Sequence, residues 1–146
     1  MKPADFFNKE QKSGILEAIK EAELNTSGEI RVHIEGKCKS DVLDRAAYIF
    51  EKLKMHKTEL RNGVLFYLAL KDHKFAILGD VGINTVTSDN FWDDIKESML
   101  NSFKKAEFTE GLIKGIKMAG EQLKAHFPYQ EGDVDELPDD ISFSEK

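Results

Sequence analysis

Residues 63–79 read GVLFYLALKDHKFAILG, and this stretch decides the fold. The run 64–70 is apolar at every position, as expected of a central strand that is covered on both faces. The polar residues 71–74 predict a turn, and residues 75–78 predict a strand that pairs with the first. The stretch therefore predicts a hairpin within the sheet.

The segments before this hairpin add a helix, a strand and a second helix. A capping-box pattern at Asn8 predicts a helix over 9–24. Residues 29–35 alternate apolar and polar side chains, which predicts a strand with one face more buried than the other. Asp41 can cap a helix that runs to about Met55. We expect that helix to bury Leu43, Ala46, Ala47, Phe50 and Leu53.

Two helices follow the hairpin. Residues 81–88 predict a polar loop, after which Asp89 or Asn90 can cap a helix. A last helix begins near Thr109 and stops at Pro128. The inward positions of the first of these helices are Trp92, Ile95, Met99 and Phe103. The element order predicts a small α/β sheet with helices on both faces, in which the two strands joined by a helix are parallel.

This topology gathers polar residues at one edge of the sheet, which we call the rim. Because the third strand turns back on the second, its C-terminal end lies beside the N-terminal ends of the first two. Glu29, Arg61 and Asp80 then share the rim. Carboxylate oxygens are ligands for hard cations such as Ca²⁺ and Mg²⁺. Alternatively, Glu29 pairs with Arg61 and Asp80 caps a turn, and the sequence leaves both open.

The net charge of −6, from 21 basic and 27 acidic residues, belongs to the C-terminal end. Residues 130–146 hold seven acids and one base (1 − 7 = −6), so the rest is neutral. A neutral body lacks the basic stripe that nucleic acids need, and cations are the expected small partners. Asp133, Asp135 and Glu136 are spaced so that a loop can wrap one cation. The alternative is a solvated acidic tail, against which Ile141 and other nearby apolar residues favour docking on the body.

Other features narrow the expected class further. The single Cys38 forms no internal disulfide, and no apolar run has the length of a signal peptide or membrane span. We therefore expect a cytoplasmic monomer without a membrane partner.

Asp93 follows the expected cap of its helix, where a negative charge complements the helix dipole, although a ligand role stays open. The histidines, His33, His56, His73 and His126, lack metal-site spacing and are expected at surfaces or strand ends.

Four motifs resemble those of the TPM domain family, named for thylakoid-lumen, photosystem-repair and acetylcholine-receptor-modulator members. They are TSGEIRV (26–32), RNGVL (61–65), FAILGD (75–80) and FW (91–92). The resemblance covers about residues 8–128, and GDVDELP (132–138) is similar to the extension of a bacterial stand-alone subgroup. It implies a three-layer αβα sandwich around a small mixed sheet of about four strands. Residues 1–128 would form this domain, and 129–146 would be an acidic extension docked on it.

The resemblance also implies function, because the family is described both as divalent-metal binders, chiefly of calcium, and as acid phosphatases. Our leading hypothesis is a site for one or two divalent cations, Ca²⁺ first and Mg²⁺ second, that clamps the rim to the acidic extension. Its expected ligands are Asp80, Asp133, Asp135 and Glu136, with Glu29 and Asp93 as further candidates. The alternatives are a metal-dependent acid phosphatase that uses Asp80 and Asp93, and a metal-free module that binds a basic protein. No catalytic nucleophile or base is assigned.

Overall fold

The computed structural model describes residues 2–129 and 141–144. Two 3₁₀ turns, Pro3–Asp5 and Met55–Lys57, accompany the regular elements. The helices are α1 (Lys9–Glu23), α2 (Val42–Lys52), α3 (Val81–Asn84), α4 (Asp93–Lys104) and α5 (Phe108–His126). The strands are β1 (Glu29–Glu35), β2 (Gly63–Ala69), β3 (Lys74–Gly79) and β4 (Ile141–Phe143).

The four strands form one mixed sheet in the order β3-β2-β1-β4. Strand β1 is parallel to β2 and to β4, whereas β3 pairs antiparallel with β2. These pairings confirm the predicted parallel pair and the predicted hairpin. The short strand β4 has too few residues to show a pattern of its own, and its register is set by β1, with Ile141 opposite Val32.

The alternating residues of β2 build a separate core on each face of the sheet. Val64, Phe66 and Leu68 pack with α1, α4 and α5, while Leu65 and Tyr67 pack with α2. All of β2 is buried, as its apolar sequence predicts. The result is the three-layer αβα sandwich that the resemblance implies.

Glycines of α5 bring this helix close to its neighbours α1 and α4. A β-carbon on Gly111 would lie 2.7 Å from the Ser102 side chain of α4, and one on Gly120 would lie 2.7 Å from Ala22 of α1. Either contact is closer than real β-carbons allow. The small residues of α5 therefore set its distance from both neighbouring helices.

Three details of the predicted elements are wrong. Leu43 and Ala47 are exposed, whereas Ile49 is buried, because α2 packs through a stripe rotated from the expected one. The loop after β3 contains the single turn α3, which is too short to show a period. Helix α4 begins at Asp93 after Trp92, without a side-chain cap from the expected residues.

Candidate functional site

The rim forms as the topology predicts. The register places Glu29 opposite Gly63 and Gly79 opposite Val64, so the N-terminal ends of β1 and β2 meet the C-terminal end of β3. Asp80 follows β3 directly and is only 5% exposed. The rim therefore holds a buried carboxylate within a sheet edge built from three distant segments.

A guanidinium neutralises this carboxylate. Arg61 donates from Nε to Asp80 Oδ2 at 2.8 Å and from Nη2 to Oδ1 at 3.0 Å. The backbone N–H of Val81 also donates to Oδ1, at 2.7 Å, which makes Asp80 the cap of α3. Hydrogen bonding to Asp80 raises the pKa of Arg61, against the opposing effect of desolvation. The pair gives Asp80 a cationic partner from within the chain.

The backbone around Arg61 fixes this pairing. Arg61 has a left-handed φ of 51°, and its carbonyl accepts a hydrogen bond of 2.9 Å from the N–H of Gly82. A β-carbon on Gly82 would overlap the carbonyl oxygens of Leu60 and Arg61. Only glycine allows α3 to approach the loop this closely. The close approach holds Arg61 over Asp80.

The predicted cation ligands are only partly brought together. Glu29 is buried at the rim, with 4% exposure, and its N–H donates to the carbonyl of Asn62 at 3.4 Å. Asp93 is exposed in the first turn of α4. The remaining candidates, Asp133, Asp135 and Glu136, lie outside the described residues. The partner that the structure shows for Arg61 is Asp80, and the expected capping role of Asp80 is confirmed.

The described residues do not complete a metal site by themselves. Within residues 2–129 and 141–144, no group of three or more His, Cys, Asp or Glu side chains could hold a metal ion. Asp80 has suitable oxygen chemistry, but Arg61 and the N–H of Val81 engage both of its oxygens. A cation at Asp80 would therefore need ligands besides the carboxylates, thiols and imidazoles of the described residues.

The residues that flank the segment 130–140 pair with β1 and with the residues just before it. At its start, Thr26 forms a bridge with Pro128, and the N–H of Tyr129 donates to the carbonyl of Asn25 at 3.1 Å. At its end, Ile141 lies opposite Val32, the fourth residue of β1. The two flanks of the segment therefore lie just before the start of β1 and beside its fourth residue.

A second polar site, which the sequence analysis missed, lies on the α2 face of β1. His33 and Glu35 are 5% and 2% exposed, so the expectation that all histidines lie at surfaces or strand ends is wrong for His33. Arg45 of α2 donates from Nε and Nη2 to the two oxygens of Glu35, each at 2.8 Å. Tyr67 and Ser144 also hydrogen-bond to Glu35. Four donated hydrogen bonds satisfy this buried carboxylate.

These contacts determine the charge of the site. Burial alone would raise the pKa of Glu35, but the hydrogen bonds from Arg45, Tyr67 and Ser144 outweigh it and lower the pKa to about 2. Burial lowers the pKa of His33 to about 4, although the charge of Glu35 opposes this. At neutral pH the site therefore contains a carboxylate, a guanidinium and a neutral imidazole.

The hydroxyl of Ser144, just after β4, shows which ring nitrogen of neutral His33 carries the proton. Ser144 donates to Glu35 Oε1 at 2.7 Å, so its oxygen accepts from His33 Nε2 at 2.9 Å. The other ring nitrogen, Nδ1, lies 2.7 Å from Ser142 Oγ, whose hydroxyl also has the carbonyl oxygen of Val32 at 3.3 Å. His33 thus links β1 to Ser142 in β4 and to Ser144 just after it. The sequence did carry a signal for this site: every second position of β1 is polar or ionisable, and such residues need polar partners when the strand is buried beside the apolar β2.

The fold places the chain among small α/β domains of the αβα sandwich class, and sequence comparison identifies the family. The TPM domain matches residues 1–122, so the chain belongs to the TPM domain family. No curated protein matches the chain. Within the described residues, no helix has the length and apolar character needed to span a membrane.

Solved structures agree with this assignment. The NMR structure of the BA42 protein from the psychrophilic bacterium Bizionia argentinensis is 48% identical, with a TM-score of 0.91, and the match covers 96% of this chain and 97% of that one. Two more distant NMR structures share the fold. The N-terminal domain of a P. gingivalis protein has 16% identity, a TM-score of 0.70 and coverage of 85% and 80%. The N-terminal domain of the cg2496 protein from Corynebacterium glutamicum has 11% identity, a TM-score of 0.67 and coverage of 89% and 81%.

Proposed function

We propose that this TPM domain binds one or two divalent cations, with calcium preferred, between Asp80 at the rim and the acidic residues of 131–140. The observation that carries the proposal is that the residues flanking this acidic segment pair with Thr26, three residues before β1, and with Val32 inside β1. The segment contributes six carboxylates to a chain whose remaining charge is balanced. Carboxylates held near one another attract a hard cation.

The length of the segment is sufficient for this arrangement. Asp80 follows β3, which lies three strand positions from β4, or about 14 Å at the usual spacing of about 4.8 Å. Eleven residues span at most about 36–40 Å when extended. The chain between Tyr129 and Ile141 can therefore reach Asp80 and return. Asp133, Asp135 and Glu136 occupy the middle of this span, where the reach is greatest.

The pairing of Arg61 with Asp80 supports the proposal, because it shows that Asp80 lies beside a positive charge. A buried carboxylate needs a positive partner, and the guanidinium supplies that charge in the absence of a cation. The Arg61 side chain is 45% exposed, so it can swing into solvent at little cost in packing. Calcium would then compete with Arg61 for the same two oxygens.

A calcium titration of thermal stability tests the proposal. At a calcium concentration one hundred times the dissociation constant, binding stabilises the fold by about 2.7 kcal/mol. For a chain of this size that is a rise in melting temperature of roughly 5–10 °C. Asp80→Asn and the double variant Asp133→Asn/Asp135→Asn are expected to lose the rise. Glu17→Gln, at an exposed position of α1, is the charge-matched control and retains it.

Replacement of Arg61 tests whether calcium competes with the Arg61 guanidinium for the Asp80 carboxylate or only screens charges. Arg61→Asn removes the guanidinium and keeps a residue that tolerates a left-handed φ. We expect this variant to be less stable without calcium and to gain more stability from calcium than the parent protein. A melting temperature that millimolar calcium leaves unchanged in both proteins contradicts the proposal. Among the described residues, no specific contact favours the phosphatase or the interaction-module hypothesis over it.

A further inference from the structure

A basic cleft lies at the edge of the sheet opposite the rim. Its walls come from the loop that follows β1 and from α2, and its floor comes from His33, Ser142 and Ser144. The cleft has a volume of about 710 Å³, within the usual range for small-molecule sites. Open α/β sheets commonly bind ligands at the carboxyl ends of their parallel strands, which is where this cleft lies.

The charge of the lining is one-sided. Four cationic side chains, Lys37, Lys39, Arg45 and Lys52, line the cleft, and none of the described residues lining it is acidic. Like charges gathered in one concave surface repel each other unless an anion occupies the space between them. The chain away from its C-terminal segment is neutral overall, so this concentration is local.

The deepest cation is held in a fixed position. Glu35 binds Nε and Nη2 of Arg45, and the Glu35 side chain is itself only 3% exposed. Tyr67 and Ser144 hold the Glu35 carboxylate from its other sides. The Arg45 side chain remains 31% exposed, and its two hydrogen bonds to Glu35 use only Nε and Nη2. A guanidinium fixed along one edge and open along another is suited to an oxyanion.

We propose that this cleft binds the phosphate group of a small phosphorylated organic molecule. A phosphate dianion is small compared with the cleft, so an organic body fits beside it. Ile49 and Leu53 of α2 supply an apolar wall for that body. The lysines of the loop and Lys52 surround the phosphate, and Arg45 donates to it from below. This site is separate from the cation site at the rim, and neither proposal depends on the other.

Phenyl phosphate and inorganic phosphate are suitable probes in residue-resolved NMR titrations of the full chain at pH 7 and 150 mM NaCl. We expect both to shift the amides of residues 37–40, 45–53 and 142–144, and phenyl phosphate to bind more tightly because its ring contacts the apolar wall. Benzoate carries the same ring with a single charge and is expected to bind at least fivefold more weakly than phenyl phosphate.

Lysine variants test the location of the site. Lys52→Gln and Lys37→Gln are each expected to weaken phenyl phosphate binding about fivefold, as the loss of one charged contact of about 1 kcal/mol predicts. Lys117→Gln, at an exposed position of α5, is the control and leaves the affinity unchanged. The proposal is overturned if neither phosphate probe shifts the cleft amides, if the control weakens binding equally, or if benzoate binds as well as phenyl phosphate.

Discussion

Substitution of His33 by glutamine is expected to flatten the dependence of stability on pH between about 6.5 and 4. Burial lowers the pKa of His33 from 6.5 to about 4, so within this window the unfolded chain binds a proton that the folded chain excludes. The contribution of His33 is fully present above pH 6.5 and is lost as the pH falls. One such proton changes the free energy of unfolding by about 1.36 kcal/mol per pH unit, or about 3 kcal/mol across the window.

Urea unfolding at several pH values from 7.0 to 4.5, at constant ionic strength, measures this effect. Glutamine can keep hydrogen bonds to Ser142 and Ser144 but does not titrate. Between pH 7.0 and 4.5, the parent protein should lose about 2–3 kcal/mol more than His33→Gln. His126→Gln, at an exposed position near the end of α5, is the control and should follow the parent. Equal pH slopes in the parent and in His33→Gln would refute the argument that His33 is buried in its neutral form.

Two further predictions concern the same fold. Glu35→Gln should destabilise the protein at pH 7, because the pKa of Glu35 is lowered from 4.5 to about 2 and its contribution is present above pH 4.5 and lost as the pH falls towards 2. The pKa shift alone sets an upper limit of about 3.4 kcal/mol on the loss in free energy of unfolding. Solvent screening at the 31% exposed Arg45 reduces the expected loss to about 1.5–2 kcal/mol. A variant as stable as the parent at pH 7 in urea unfolding would contradict this prediction. In the same assay, Gly82→Ala should lower the free energy of unfolding by about 3 kcal/mol, because the new β-carbon would overlap the carbonyl oxygen of Leu60. Gly14→Ala is the control: its β-carbon would lie at an ordinary contact distance of 3.4 Å inside α1, so it should be neutral or stabilising by up to about 1 kcal/mol. Similar stabilities for the two alanine variants would show that the rim loop can move away from α3.

The sequence predicted the central sheet because its signals are local. The apolar run of β2 and the turn before β3 lie within one short stretch, and the alternation in β1 spans seven residues. The faces of β1 were harder to assign. Period two shows that His33 and Glu35 share a face. Their partners are Arg45 in α2 and two serines, Ser142 and Ser144, which lie more than one hundred residues later in the chain. The sequence pattern therefore could not show that this face is buried, because contacts that cover it come from residues far along the chain.

At the rim, too, the sequence predicted one part of the arrangement and not another. Topology alone brought Asp80 and Arg61 to one edge, and the structure confirms it. The choice of Asp80 as the partner of Arg61 depends on the left-handed φ of Arg61 and on the close approach of Gly82. Neither feature has a period or a spacing that a sequence pattern could show. The cation ligands in 131–140 stay a prediction from composition and spacing.

A residue-resolved calcium titration of the full chain by NMR tests the central claim most directly. We expect the amides of Asn62, Asp80 and Gly82 to shift at the same calcium concentrations as those of Asp133, Asp135 and Glu136. One dissociation constant should describe both groups, and Asp80→Asn should weaken binding for both together. Shifts confined to the acidic segment, with the rim amides unmoved at millimolar calcium, would contradict a cation clamp between them.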